Sequence, residues 1–187
     1  MPYPTVSDLA SFLKQDLDTS TATLAIAKTI GLFEARAKTH WGATPAAGFY
    51  DKPAPGYGEI VLPYAPLVAV SLVQLISFGS SVQTLVVNVD YTRIEQSLYR
   101  RVGFGRPGRW PPDELQVTYT YGYPDTTEDV NAAILESAGS SYMNPDISTV
   151  SETIDDYSVR TSPNTGGMVL TPSAAALADW YAGTLVG

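Results

Sequence analysis

Residues 114–143 read ELQVTYTYGYPDTTEDVNAAILESAGSSYM, and the hydrophobic period changes in the middle of them. At first Leu115, Val117, Tyr119 and Tyr121 alternate with Gln116, Thr118 and Thr120, which predicts a strand with one face on a core. Further on, Val130, Ala133, Ile134, Ser137, Ala138 and Tyr142 fall on one face at helical spacing, until Asn144-Pro145 ends the run. Asp125-Thr-Thr-Glu128 has capping-box spacing with Asp in place of the usual Ser or Thr, so the helix is expected over 125–143. A strand that feeds a helix this directly points to an α+β chain.

Towards the N-terminus the same two periods recur in separate blocks. Ser7 or Asp8 can cap a helix over about 7–17, with Leu9, Phe12, Leu13 and Leu17 on one face. After Asp18-Thr19-Ser20, residues Ala22, Ile26, Ile30, Phe33, Ala37 and Trp41 predict a second helix over about 20–41. Gly42 is placed to stop it in a left-handed turn. Residues 44–57 read as a Pro/Gly/Ala-rich loop. The period of two then runs through a β region over about 57–122, whose short turns favour antiparallel pairing. Within it, PLVAVSLVQLISF (66–78) is so continuously apolar that both faces are expected to be covered. QTLVVNVDYTRI (83–94) puts Leu85, Val87, Val89 and Tyr91 on one face of a single strand. SLYRRV (97–102) is a further short strand.

Beyond Pro145, SETIDDYSVR (151–160) reads as one more strand. A Ser/Pro/Asn/Gly-rich tether follows, and Thr171-Pro172 then starts a short helix, with Thr as N-cap and Pro at the first position. The expected organisation is a domain over 1–160, in which an antiparallel β insertion interrupts a helical bundle, and an extended C-terminal arm over 161–187 ending in that helix.

Charge and composition narrow the function. The chain has 187 residues and a formal net charge of −8. Residues 93–109 concentrate Arg93, Arg100, Arg101, Arg106 and Arg109 against Glu95 alone, whereas residues 110–187 hold eleven acids and one base, Arg160. An acidic chain gains nothing from counterion release on DNA, which argues against sequence-reading DNA binding but suits a surface that lets DNA slide past. There is no cysteine, which removes disulfides and thiolate chemistry together. The start MPYPTVSDLA lacks the features of a signal peptide, and no segment has the roughly 18 apolar residues of a membrane span.

Catalytic patterns do not hold together. Gly103-Phe-Gly105-Arg-Pro-Gly108 matches G-x-G-x-x-G, but Arg109-Trp110-Pro111-Pro112 follows it, where a dinucleotide loop must open a helix. His40, the single histidine, has no thiol to pair with and no nucleophile-elbow motif to serve. Glu128-Asp129 and Asp155-Asp156 are adjacent acids read as solvated charge. No cofactor, metal or catalytic residue is expected, and the chain reads as a non-enzyme. The arginines interleaved with Tyr99, Phe104 and Trp110 read as a protein-contact surface.

The order of a helix pair, a β insertion with LPYAPLVAVSLVQL, VDYT, SLYRR and GRWP, then VTYTYGYPDTTEDVNAAILESAGSSYMNP and SETIDDYSVR, resembles the head-to-tail connector (adaptor) proteins of long-tailed bacteriophages. The resemblance runs from about Val6 to Arg160. It implies a structural component of the virion neck, made in the host cytoplasm, that forms a twelvefold ring of its own copies at the capsid–tail junction. Its implied partners are the portal protein above, the head-completion or stopper protein below, and packaged DNA passing through the channel without sequence-specific binding. The implied portal anchors are Leu177, Trp180 and Tyr181. The implied neighbour or stopper contacts are Arg100, Arg101, Arg106, Arg109 and Trp110. Two alternatives stand beside it: another neck or tail-completion protein, and a Tyr-rich β module that binds a glycan or small ligand.

Overall fold

The computed structural model describes residues 1–54, 58–77, 82–102, 106–111, 113–143, 151–154, 157–160 and 170–184. In chain order the elements are α1 (Val6–Leu13), α2 (Thr19–Ala37), β1 (Ala46–Pro53), β2 (Glu59–Val61), β3 (Leu67–Ile76), β4 (Val82–Thr84) and β5 (Tyr91–Ile94). There follow β6 (Ser97–Val102), β7 (Arg106–Pro107), β8 (Glu114–Tyr121), α3 (Glu128–Met143), β9 (Ser151–Ile154), β10 (Tyr157–Arg160) and α4 (Pro172–Thr184). The α+β class expected from the sequence is the one found. Two compact units divide the chain: Met1–Ala37 with Thr126–Trp180, and Lys38–Asp125 with Tyr181–Gly187. One boundary between the units falls within α4, between Trp180 and Tyr181.

The first unit is helical. Leu9, Ala22, Ile26 and Ala138 bring α1, α2 and α3 onto one buried core, where the two alanines let the helices approach closely. Thr5, not Ser7 or Asp8, caps α1: its Oγ1 accepts the Asp8 amide at 3.3 Å, while the Asp8 carboxylate accepts the Thr5 amide at 2.7 Å. Asp18 does the same for α2, accepting the Thr21 amide at 2.8 Å and the Ser20 hydroxyl at 2.7 Å. The α3 helix begins at Glu128, three residues after the expected start, because Thr126 has another task. Its hydroxyl donates to Met1 O at 2.6 Å, and its amide to the same carbonyl at 2.8 Å, which ties down the N-terminal segment. The expected single strand over 151–160 is two strands, β9 and β10, paired antiparallel.

The second unit is β-rich. One sheet has the order β1-β8-β3-β4 and the other β2-β6-β5, with β7 pairing β6 and every ladder antiparallel. Their inner faces share a core of Leu115, Val117 and Tyr119 from β8, Val73 and Leu75 from β3, and Ile60, Leu98, Tyr91 and Trp110. The alternation in β8 therefore works as read, with Gln116, Thr118 and Thr120 on the outer face.

Three expectations fail here for identifiable reasons. The α2 helix stops at Ala37, where Lys38 takes the left-handed conformation (φ 53°), so Gly42 is not its cap. Trp41 is instead buried in the second unit: it bridges to Tyr123, with the Gly42 amide on Tyr123 O at 2.8 Å and the Tyr123 amide on His40 O at 2.7 Å. Gly122 makes this possible. Its φ is +123°, and a Cβ there would lie 2.7 Å from His40 O, so only glycine passes from β8 into the bridge. The β3 strand is not covered on both faces: Val68 and Leu72 are exposed, and two irregularities (between Leu67/Ala69 and Val70/Leu72) set Val70 opposite Tyr119. Nor is 83–94 one strand: a turn at Asn88, whose φ is 64°, separates β4 from β5 and leaves Val87 and Val89 exposed.

Candidate interaction surface

Arginines organise the turn between β4 and β5. The Arg101 amide donates to Asp90 O at 2.9 Å, and its guanidinium to Asn88 O at 2.6 Å. Arg100 donates to Asp90 O at 3.2 Å, and its guanidinium carbon lies 6.0 Å over the Trp110 ring. The turn is closed from within as well. The Asp90 carboxylate accepts the Val86 amide at 2.9 Å, Val86 O accepts the Asp90 amide at 2.8 Å, and the Asn88 amide reaches Tyr91 O at 2.7 Å. Every backbone polar group bound this way is removed from competition for water, so the turn holds one shape. On that frame Val86, Val87 and Val89 are all at least half exposed, Val89 at 67%.

The structure separates the sequence-predicted contact residues. Trp110 is fully buried, with its indole N–H on Gly58 O at 3.3 Å, so it is a core residue and offers a partner no surface. Arg100 and Arg101 support the turn. Arg109 is exposed. The Arg106 side chain, residues 103–105 of the glycine pattern, and Asp155-Asp156 lie outside the described residues. Arg93, which the sequence groups with the others, donates to Leu67 O at 2.6 Å and Val68 O at 3.0 Å, pinning β5 to the start of β3.

A second surface is the outer face of the β1-β8-β3-β4 sheet. Cross-strand register lays it out in rows: Phe49–Thr118–Leu72, then Asp51–Gln116–Gln74–Thr84, then Pro53–Glu114–Ile76–Val82. Phe49 (57% exposed), Leu72 and Val82 stand out as apolar side chains in solvent. Asp51 and Glu114 are diagonal neighbours, and a hydrogen bond that the protonated Glu114 carboxyl donates to Asp51, together with the Asp51 charge, pushes the Glu114 carboxyl above its ordinary range.

The three proposed anchors of α4 do not act as one face. Thr171 caps the helix as expected, with its Oγ1 accepting the Ala174 amide at 3.4 Å. Within the first unit Asp179 holds Arg36 through paired bonds of 2.7 Å each, and Ser173 donates to Glu136 at 2.8 Å. Within the second unit Tyr181 is only 9% exposed, edge-on to Trp41 at 5.2 Å between centroids and to Tyr123 at 6.5 Å. Leu177 is half-buried and Trp180 is 60% exposed. Tyr181 is therefore engaged at home, and Trp180 is the one large apolar side chain of the three that faces solvent.

His40 sits at the Trp41–Tyr123 bridge and Glu128-Asp129 in the exposed first turn of α3, where acids favour the helix dipole. No cluster of metal-ligating side chains occurs among the described residues, and no described helix is long and apolar enough to cross a membrane.

No sequence model of a family matches the chain, and no curated protein does. Solved structures do. A chain in the neck of an empty gene transfer agent (GTA) particle, computed with C6 symmetry, superposes with a TM-score of 0.60 and 13% identity, covering 94% of this chain and 87% of its own. A chain in the virion of a native GTA particle gives 0.59 at 12% identity, with 94% and 87% covered. A chain in the neck of a native GTA particle, computed with C12 symmetry, gives 0.58 at 14% identity, with 94% and 86% covered. At such identities the likeness establishes a shared fold.

Proposed function

We propose that the chain is a structural, non-catalytic neck component of a tailed phage or phage-like particle, an adaptor whose copies form a ring between the portal and the stopper. The observation that carries this is the fold shared over 94% of the chain with a chain from a GTA neck. Charge distribution supports it. The helical unit holds twelve acids against four bases, and the β unit seven of each, so the whole net charge of −8 belongs to the helical unit. A unit of that kind repels DNA and lets it pass, while the neutral unit, with its exposed apolar side chains, suits protein contact.

In this reading Trp180 is the leading portal contact, because exposed aromatics dominate interface energetics. The test is to mix the purified chain with portal rings from the same particle and follow complex formation by sedimentation. Trp180→Glu is expected to weaken the complex while leaving thermal unfolding unchanged. Unweakened binding would refute the role of Trp180, and no binding by the natural chain would refute the adaptor assignment.

A further inference from the structure

The β unit carries two exposed apolar surfaces. One is the turn with Val86, Val87 and Val89, held by its own hydrogen bonds and by Arg101. The other is the open outer face of the β1-β8-β3-β4 sheet, with Phe49 and Leu72 in one row. We propose that this sheet face receives the valine turn of the next copy, head to tail, as the contact that closes the ring; the inference rests on the ring reading above.

Charge and spacing both favour a second copy as the occupant. At the turn the Arg101 guanidinium bonds the Asn88 carbonyl at 2.6 Å, and no carboxylate pairs with it among the described residues. On the sheet, the row after Phe49–Leu72 carries Asp51, about 7 Å further along the strands, and the next row carries Glu114. With Val89 seated between Phe49 and Leu72, the neighbour's Arg101, bound one residue before Val89, comes within reach of Asp51 and Glu114. Two carboxylates that repel each other in the isolated chain would then share a cation. The turn loses little conformational entropy on docking because it is already ordered, so valine burial is not offset by loop ordering. A knob and a receptor on different surfaces of one chain give a heterologous contact, which closes when the rotation allows.

The chain has no cysteine, so any disulfide reports an introduced pair. Two single variants, Leu72→Cys and Val89→Cys, are prepared separately, mixed, oxidised gently and analysed by non-reducing gel and native mass spectrometry. The expected result is rings in which the mixed disulfide forms about tenfold faster than in a control mixture of Leu24→Cys with Val89→Cys, because a held contact raises the effective concentration. Val89→Asp should abolish the rings with unchanged thermal unfolding. Rings without preferential cross-linking, or rings that survive Val89→Asp, would overturn this contact while leaving the ring standing. A chain that stays monomeric and does not cross-link would remove the ring reading and this contact with it.

Discussion

Gly48 lies in β1 directly opposite Tyr119 of β8, and the tyrosine ring covers it. A Cβ built on Gly48 would lie 2.4, 2.5 and 2.9 Å from three atoms of that ring, where ordinary contact begins near 3.4 Å. Tyr119 is fully buried, and its ring stands 6.0 Å from that of Tyr121, which itself stacks on Tyr64 at 4.7 Å. The ring must therefore move by about an ångström against packed neighbours, an overpacking that costs about 1–3 kcal/mol. Replacing glycine stiffens the unfolded chain and offsets about 0.4–1 kcal/mol of that. The net expectation for Gly48→Ala is a loss of about 1–2 kcal/mol, a drop of about 2–8 °C in unfolding midpoint for a chain of this size. Scanning calorimetry measures it, and a second background isolates the cause. With Tyr119→Leu already present the clash is relieved, so Gly48→Ala should become neutral or stabilising there, with a coupling of the same size as the loss. A midpoint that is unchanged or raised by Gly48→Ala alone would refute the argument.

The helical unit supplies further predictions. Leu9→Ala removes a fully buried side chain from the core of α1, α2 and α3, and should cost about 2–5 kcal/mol in chemical unfolding. Hydrogen bonds from Ser20 and Thr21 lower the Asp18 carboxyl from 3.8 to about 2, so its stabilising effect is full above pH 4 and is lost as pH falls towards 2. Asp18→Asn, which keeps an acceptor but cannot titrate, should flatten the stability profile in that window. Asp179→Ala breaks the paired bonds to Arg36. Both groups are exposed, so the loss should be small and should shrink in high salt. Arg101→Ala should loosen the valine turn, read as faster amide exchange at Asn88 to Asp90, with little change in global unfolding.

Periodicity made the elements legible where one face meets a core. The alternation of Leu115, Val117 and Tyr119, the face from Val130 to Ala138, and the Thr171-Pro172 helix start all read correctly, because local pattern and packing agree there. The misreadings share a cause, which is tertiary competition for residues that fit a local pattern. Trp41 continues the spacing of α2 but is taken by Tyr123, and Val87 and Val89 continue a strand alternation that the Asp90-closed turn interrupts. Arginine clustering in the sequence falls beside the valine turn, but that Arg101 bonds a carbonyl there depends on a contact with Asn88 that spacing does not encode. Trp110 looked like an interface aromatic because burial of an indole between strands leaves no period in so short a segment. The outer sheet face is hidden in the sequence of β3, because the outward Leu72 and Ile76 are as apolar as the inward Val73 and Leu75.

Cryo-electron microscopy of the native particle containing this chain tests the central claim most directly. The account predicts a closed ring of its copies at the capsid–tail junction, repeating twelvefold as the symmetry applied to the native GTA neck does. Density for the chain as an isolated monomer, or anywhere other than that junction, would contradict it.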